Sequence, residues 1–575
     1  MAFPAIVGLS GCLSFTDDSG ERQDAPDPAT SVPDATTTER NSGTRETEAS
    51  GRAQVEAELV APDSYPKGGP GVVNVRFRAE SQTEFSCRVL LGEETLEMVS
   101  GQIEPGNSYD ETYHVEFGQE DSVELRVEDD ASVVEESSKT ITLVKPRHEW
   151  AEYGANPTNT FRNSRTWGPT QAVTQQWALQ EATYGQPVVL ENKLYICSPH
   201  EQSRLVCLSL DTGDKLWEVE TDDVFEGAVI SDGLIYLTEI NSGGKTRAIT
   251  TDGNEVWAFE HDTHSNTQRS RGQDALTYHV PVVQNDKLFI HSPEAGVFAL
   301  DKRDGTVVWN TEGVTSICSL SADSERVYGA GPIGENKSPA SGGEQWIWSL
   351  RQDTGDVVWT TRTDVTAEPN RYVGPEDEQY APEFRFTPPT IDETWVHIGT
   401  SHRMKLRGRE GGPIDDGRNN HLFRIDKQTG DIAYEIEISD FVYPPAPLTT
   451  RVGVSAPLTV YDEMFVLCKP SLSDRWYWVG PEGQKLDFGS AVLSSAGLSV
   501  PRNTPPVVTA NGVYFLTLDN NLARIDATLE GEELFEDVGD FEGDILEADR
   551  GLCVVDSRVV SSGSGGIRVY TPDTA

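Results

Sequence analysis

The chain has 575 residues, with 46 Lys+Arg against 94 Asp+Glu and a formal net charge of −48. A field of that sign excludes non-specific binding to nucleic acid or anionic lipid, which demands cations. No run of 18 apolar residues is present to cross a membrane as a helix, and 51 Gly, 33 Pro and 12 Trp point to a turn-rich β chain of several domains, not a helical bundle.

Self-repulsion at this charge is relieved where salt is concentrated, because the Debye length falls to about 3 Å at 1 M. In this respect the chain resembles proteins of extreme halophiles. Its carboxylates are read first as surface solvation.

Residues 1–12 hold an apolar stretch that ends in Leu9-Ser10-Gly11-Cys12. This resembles a lipoprotein lipobox, in which the signal is cut before the cysteine and the thiol carries two hydrocarbon chains, enough for stable anchoring. Cys12 is thus the expected lipidation site. Residues 13–52, rich in Asp, Glu, Ser, Thr and Pro, lack the apolar surface to fold and read as a disordered acidic tether.

Residues 53–145 carry short alternating runs such as Val72–Phe77, Phe85–Leu90, Thr112–Phe117 and Lys139–Val144, separated by turn residues. They predict a small immunoglobulin-like β-sandwich. The seven cysteines include no CxxC, which removes zinc-ribbon and thioredoxin-type readings, and their pairing cannot be deduced from spacing.

From residue 146 a repeat takes over. Pro187-Val188-Val189, Lys193–Ile196, Leu205–Leu208 and Asp211-Thr212-Gly213 lead to Trp217. Equivalent turns precede Trp257, Trp309 and Trp359, and weaker copies run on to Tyr570. Four strands per unit of about 40–50 residues is the size of a propeller blade. The eighth copy lacks its Trp strand, while Gln175-Gln176-Trp177-Ala178-Leu179 is an orphan Trp strand ahead of the first. Pairing the two predicts eight complete blades and no exposed ring edge. The fold class expected is therefore all-β: tether, sandwich, then an eight-bladed β-propeller over 146–575.

The repeat, together with the opening Trp150-Ala151-Glu152-Tyr153-Gly154, resembles the PQQ-like β-propeller superfamily. That group includes quinoprotein alcohol dehydrogenases and the outer-membrane assembly lipoprotein BamB. The resemblance implies two functions. Catalytic members hold the quinone PQQ on the propeller axis with calcium, an Asp base and a disulfide between adjacent cysteines. No adjacent Cys pair and no local calcium-ligand motif stand in this sequence, so neither cofactor is expected and redox catalysis is the alternative, not the first reading. No GxSxG, HExxH or Walker motif is present. His261 and His264 offer two imidazoles in an irregular segment, read as solvated in preference to zinc-binding.

The turns joining strands one to two and three to four are short, as in Glu191-Asn192, Asp232-Gly233 and Asp252-Gly253. Long insertions at roughly 260–280, 331–344, 361–387, 401–420, 439–455 and 489–504 all belong to the other face, where binding groups are expected. Two of these insertions gather cations: Arg269 with Arg271, and His402, Arg403, Lys405, Arg407 and Arg409. They either meet an acidic peptide, carboxylated glycan or phosphate, or pair internally with Glu410, Asp415 or Asp416. Tyr372 and Tyr443, with Tyr278, Tyr380, Phe384 and Phe386, would add stacking surface. The only N-glycosylation sequon, Asn336-Lys337-Ser338, falls on the same face.

The expectation is a lipid-anchored cell-surface protein whose propeller is a non-catalytic binding platform for an envelope protein, peptide or glycan. A quinone-dependent dehydrogenase and an envelope carbohydrate-binding protein are the alternatives.

Overall fold

The computed structural model describes residues 54–572, apart from 262–279, 334–344, 364–383, 406–420, 438–448, 489–504, 542–550 and shorter gaps in other connections. For the strands within 384–385, 401–405, 449–453, 460–478, 485–488 and 525–541 only backbone pairing is described. Among the described residues the regular structure is β, with a single 3-10 turn at Tyr153–Ala155.

The first part builds two sheets. One orders Val55–Val60, Pro70–Ala79 and Ser108–Glu116; the other orders Ser64–Pro66, Ser137–Val144, Ser122–Glu128, Thr83–Leu91 and Glu94–Ile103. Strict alternation, buried then exposed along Val55–Glu58, turns one side of each sheet inward. Val73, Val75, Phe77, Phe85, Val89, Leu125, Val127 and Ile141 from both sheets share one buried cluster, and Phe77 meets Phe85 at 4.8 Å between ring centroids. Burial of that apolar area is what holds the two sheets together.

Among the described residues from Arg162 onward there are six four-stranded sheets, one of five strands and one of six, each built on four antiparallel strands. The first full copy is Tyr184–Leu190, Lys193–Ser198, Arg204–Ser209 and Lys215–Glu220. Its inner strands are almost continuously buried, whereas the fourth alternates with solvent. The strand-one-to-two turn uses two residues at positive φ, Glu191 at 48° and Asn192 at 62°, the geometry that matches strand twist in a tight hairpin.

One contact recurs between successive sheets. The indole Nε1 of Trp177 donates to the carbonyl of Leu210 at 2.8 Å, Trp217 to Thr251 at 3.0 Å, Trp257 to Lys302 at 3.1 Å, Trp309 to Gln352 at 2.9 Å and Trp359 to Lys427 at 3.0 Å. Each acceptor lies in the strand-three-to-four turn of the next sheet. The same indole covers the glycine of that turn: a Cβ on Gly355, held at φ 76°, would lie 2.7 Å from the ring of Trp309. Glycine is thus required twice over, by the left-handed backbone and by the ring. At the sixth such joint no Trp stands, and Tyr434 with Ile436 faces Gly483 instead.

The orphan strand Val173–Leu179 pairs with Gly566–Pro572, with Gln175 opposite Tyr570 and Trp177 opposite Val569. It completes the sheet of Gly551–Val555 and Arg558–Gly563. The first strand of each sheet touches the first strand of the next, and Gly551–Val555 touches Tyr184–Leu190.

Removing one ring should show how much these joints carry. Trp309→Ala deletes a side chain only 8% exposed, and is expected to cost about 3–5 kcal/mol. Gly355→Ala should also lower the Tm, and a thermal scan of both variants in the same salt checks the pair. An unchanged Tm in both would remove the joint as a source of stability.

Candidate functional site

Strand order sorts the connections onto two faces. Connections between first and second strands, and between third and fourth, never exceed five residues. Every long one, including 262–279, 332–344, 364–383, 406–420 and 489–506, joins a second strand to a third or one sheet to the next. These open on the opposite face.

The segment from Trp150 to Trp167 occupies the short-turn side of the axis. Trp150 exchanges backbone hydrogen bonds with Val189 at 2.8 Å in both directions, and the carbonyls of Ala151, Pro157, Thr158, Phe161, Thr166 and Trp167 accept from Ile230, Ala322, Ile391, Val508, Ala510 and Ser557. Each of those donors lies at the end of a first strand or in the turn after it. Asn159 adds side-chain bonds to the Leu320 carbonyl at 3.0 Å and Ser321 at 2.7 Å. Gln186 accepts from the Gly154 amide at 3.1 Å and donates to the Leu552 carbonyl at 2.9 Å. One segment therefore ties six of the described sheets together.

The two-sheet domain stands on the same face. The Tyr65 hydroxyl donates to the Ala510 carbonyl at 2.5 Å, and a Cβ on Gly69 would lie 2.5 Å from the Trp167 ring. The Arg165 guanidinium donates to the Lys145 carbonyl at 2.8 Å. Ala510 belongs to the short turn after Val507–Thr509, so the domain rests on the short-turn side.

A narrow cavity lies between the axial segment and the first strands, lined by Asn156, Pro157, Asn159, Val229, Val280, Ser319 and neighbours, with about 10 Å³ of room. That holds about one water. Its lining contains no carboxylate, and the amides of Asn159 and Gln186 are engaged by the chain. Among the described residues no group of three or more His, Cys, Asp or Glu is placed to hold a metal. His261 is buried with Nε2 3.2 Å from the Thr246 hydroxyl, not in a solvated loop as expected; His264 lies outside the described residues.

The long-loop face contains one feature that sequence reading had as loop. Strand Trp395–Lys405 outgrows its sheet. Residues 395–399 pair within it, and beyond Gly399 the strand pairs with Phe384–Phe386 on one side and Thr449–Gly453 on the other. Parts of the insertions at 361–387, 401–420 and 439–455 are therefore one three-stranded extension. Its length, about six residues at roughly 3.3 Å each, carries it some 20 Å past the sheet.

Of the expected site residues, His402, Arg403 and Lys405 lie in this extension, with Arg403 opposite Arg451 and Lys405 opposite Thr449. Arg269, Arg271, Tyr372, Arg407, Arg409 and Tyr443 lie outside the described residues, as do Tyr278, Tyr380, Asn336 and Cys12. Phe386, expected as a stacking ring on a loop, is fully buried in the core with Phe423 and Ile425. Sequence reading missed Arg385 and Arg451; the signal was the polar–apolar alternation in Phe384-Arg385-Phe386 and Arg451-Val452.

Cys87, Cys207, Cys318 and Cys553 are buried, unpaired thiols. Burial pushes Cys87 and Cys318 up to about 12 and Cys207 to about 11. Thiolate is the nucleophile, so none of the four is poised to react at neutral pH.

The family model described as outer membrane protein assembly factor BamB matches residues 164–436. No curated relative matches the sequence. Among solved structures, BamB from Moraxella catarrhalis is 16% identical across 69% of this chain and 99% of its own, with a TM-score of 0.42. A europium-containing methanol dehydrogenase is 13% identical across 72% and 89%, TM-score 0.44. The quinohemoprotein alcohol dehydrogenase from Comamonas testosteroni is 14% identical across 74% and 82%, TM-score 0.46.

Alkylation at pH 8 with site mapping by mass spectrometry tests the thiol assignment. Cys87, Cys207, Cys318 and Cys553 should stay unlabelled in the folded protein and label fully in denaturant. Rapid native labelling of any of them would mean that its strand opens or its burial is misassigned.

Proposed function

We propose that this chain, whose residues 164–436 carry the repeat of the PQQ-like β-propeller superfamily, is a non-catalytic binding platform of the cell envelope. In this reading the propeller has eight blades closed by Val173–Leu179, and the first two sheets form an immunoglobulin-like sandwich. Cys12 carries the lipid anchor, residues 13–52 act as tether, and the protein stands at the cell surface in a salty medium.

One observation carries the reading: the two faces are built differently. The short-turn face is braced by Trp150–Trp167 and occupied by the two-sheet domain through Tyr65 and Gly69. Rigid sheets carrying long connections on one side are the usual arrangement of a recognition surface. A quinone-dependent dehydrogenase is the alternative reading, and an envelope glycan is a ligand class that the same surface can serve.

Affinity capture from native envelope in multimolar salt, with mass spectrometry of what is retained, tests the platform. A defined protein or glycan should be enriched over capture by the two-sheet domain sequence alone. A companion assay supplies PQQ and calcium with an electron-accepting dye and alcohols or sugars. Turnover there, with no enriched partner, would replace the platform by an oxidoreductase.

A further inference from the structure

We propose that the extension formed by Phe384–Phe386, Ser401–Lys405 and Thr449–Gly453 is a docking face for an acidic segment of a partner protein, bound in extended conformation. The inference rests on the platform reading and gives its ligand a chemistry.

Cross-strand register places the cations. Residues two apart on a strand share a face, so Ser401, Arg403 and Lys405 belong to one side of the central strand. Arg385 stands opposite Ser401 and Arg451 opposite Arg403. Arg385, Arg403, Lys405 and Arg451 therefore occupy one face of a three-stranded sheet. No Asp or Glu occurs at any of the thirteen positions of these three strand segments.

This composition is out of keeping with the rest of the molecule. Acidic residues outnumber basic ones 94 to 46, and elsewhere strand cations meet carboxylates from the same sheet: Arg204 with Glu218 at 2.8 Å, Arg247 with Glu239 at 2.7 Å and Arg88 with Glu128 at 3.2 Å. In the extension Arg403 stands directly opposite Arg451, and Arg385 opposite Ser401. Like charges at opposite positions destabilise a sheet pair, and an anion lying between two guanidiniums reverses the sign through charge-assisted, bidentate hydrogen bonds.

Spacing selects the ligand. Arg403 and Lys405 are separated by two residues of strand, about 6.6–6.8 Å. A second extended chain with an acidic residue at every other position repeats at the same distance, so successive carboxylates meet successive cations. A partner segment alternating Glu or Asp with small residues fits this face.

Fluorescence anisotropy with the full chain tests this, using three labelled ten-residue peptides: alternating Glu-Ser, the same composition with five Glu followed by five Ser, and alternating Gln-Ser. The alternating Glu peptide should bind at least tenfold more tightly than the Gln peptide and more tightly than the blocked one, with affinity falling as salt rises. The combined Arg385→Gln, Arg403→Gln, Lys405→Gln and Arg451→Gln variant should lose at least tenfold for the Glu peptide only. Circular dichroism and Tm identify a variant that fails to fold, and the wild-type peptide comparison stands without it. Equal binding of Glu and Gln peptides, equal binding of alternating and blocked peptides, or unchanged affinity in a folded variant would overturn the proposal. Preference for a polyuronate over every peptide would overturn it in favour of a glycan. If envelope capture persists while the peptide fails, the ligand chemistry is wrong and the platform stands.

Discussion

An indole of one sheet seated on the turn glycine of the next is the contact from which the rest of the repeat region follows. A four-stranded unit cannot bury both faces alone, and repeats become stable by covering one another. The wedge between twisted neighbours is filled by a large ring, and the ring's single donor is satisfied by a carbonyl in the same turn. Sequence, backbone and packing are locked together there: the glycine allows the left-handed turn, its missing Cβ admits the ring, and the ring fixes the angle to the next sheet. Trp177 makes the first of these contacts from the strand that pairs with Gly566–Pro572, so the two ends of the repeat region are stitched into one sheet.

That arrangement frees one face for other use. With Trp150–Trp167 bonded to first strands around the axis and the two-sheet domain resting on Ala510 and Trp167, the short-turn side is committed to structure. Insertions there would break the brace. Insertions on the other side only lengthen connections, whose entropic cost rises slowly with length. The extension beyond Gly399 shows what such a connection becomes when it finds partners: strands from three insertions pair with one another.

Much of this was legible in the residues. The recurrence of Trp217, Trp257, Trp309 and Trp359 after a Gly turn is a local signal with a packing cause, and the orphan strand at Trp177 named its own partner by what the last unit lacked. The extension was not legible. Its strands are three to six residues long and separated by tens of residues, and non-local pairing of short segments leaves no periodic trace. The same limit hid Phe386, whose neighbours in sequence are a run of loop residues, although its neighbours in space are Phe423 and Ile425. Nor did the opening segment announce its role, since it occurs once and contacts the sheets mainly through backbone groups. His261 illustrates a further ambiguity: a histidine beside a long insertion reads as exposed, yet it closes a sheet against Thr246.

Site-specific photo-crosslinking in the native envelope tests the division of faces most directly. A photoreactive residue at Glu312 or Arg403, on the long-connection side, should yield a discrete adduct with a partner, while the same residue at Asp232 or Asp252, in short turns, should yield none. Adducts formed from Asp232 and Asp252, with none from Glu312 and Arg403, would contradict the account.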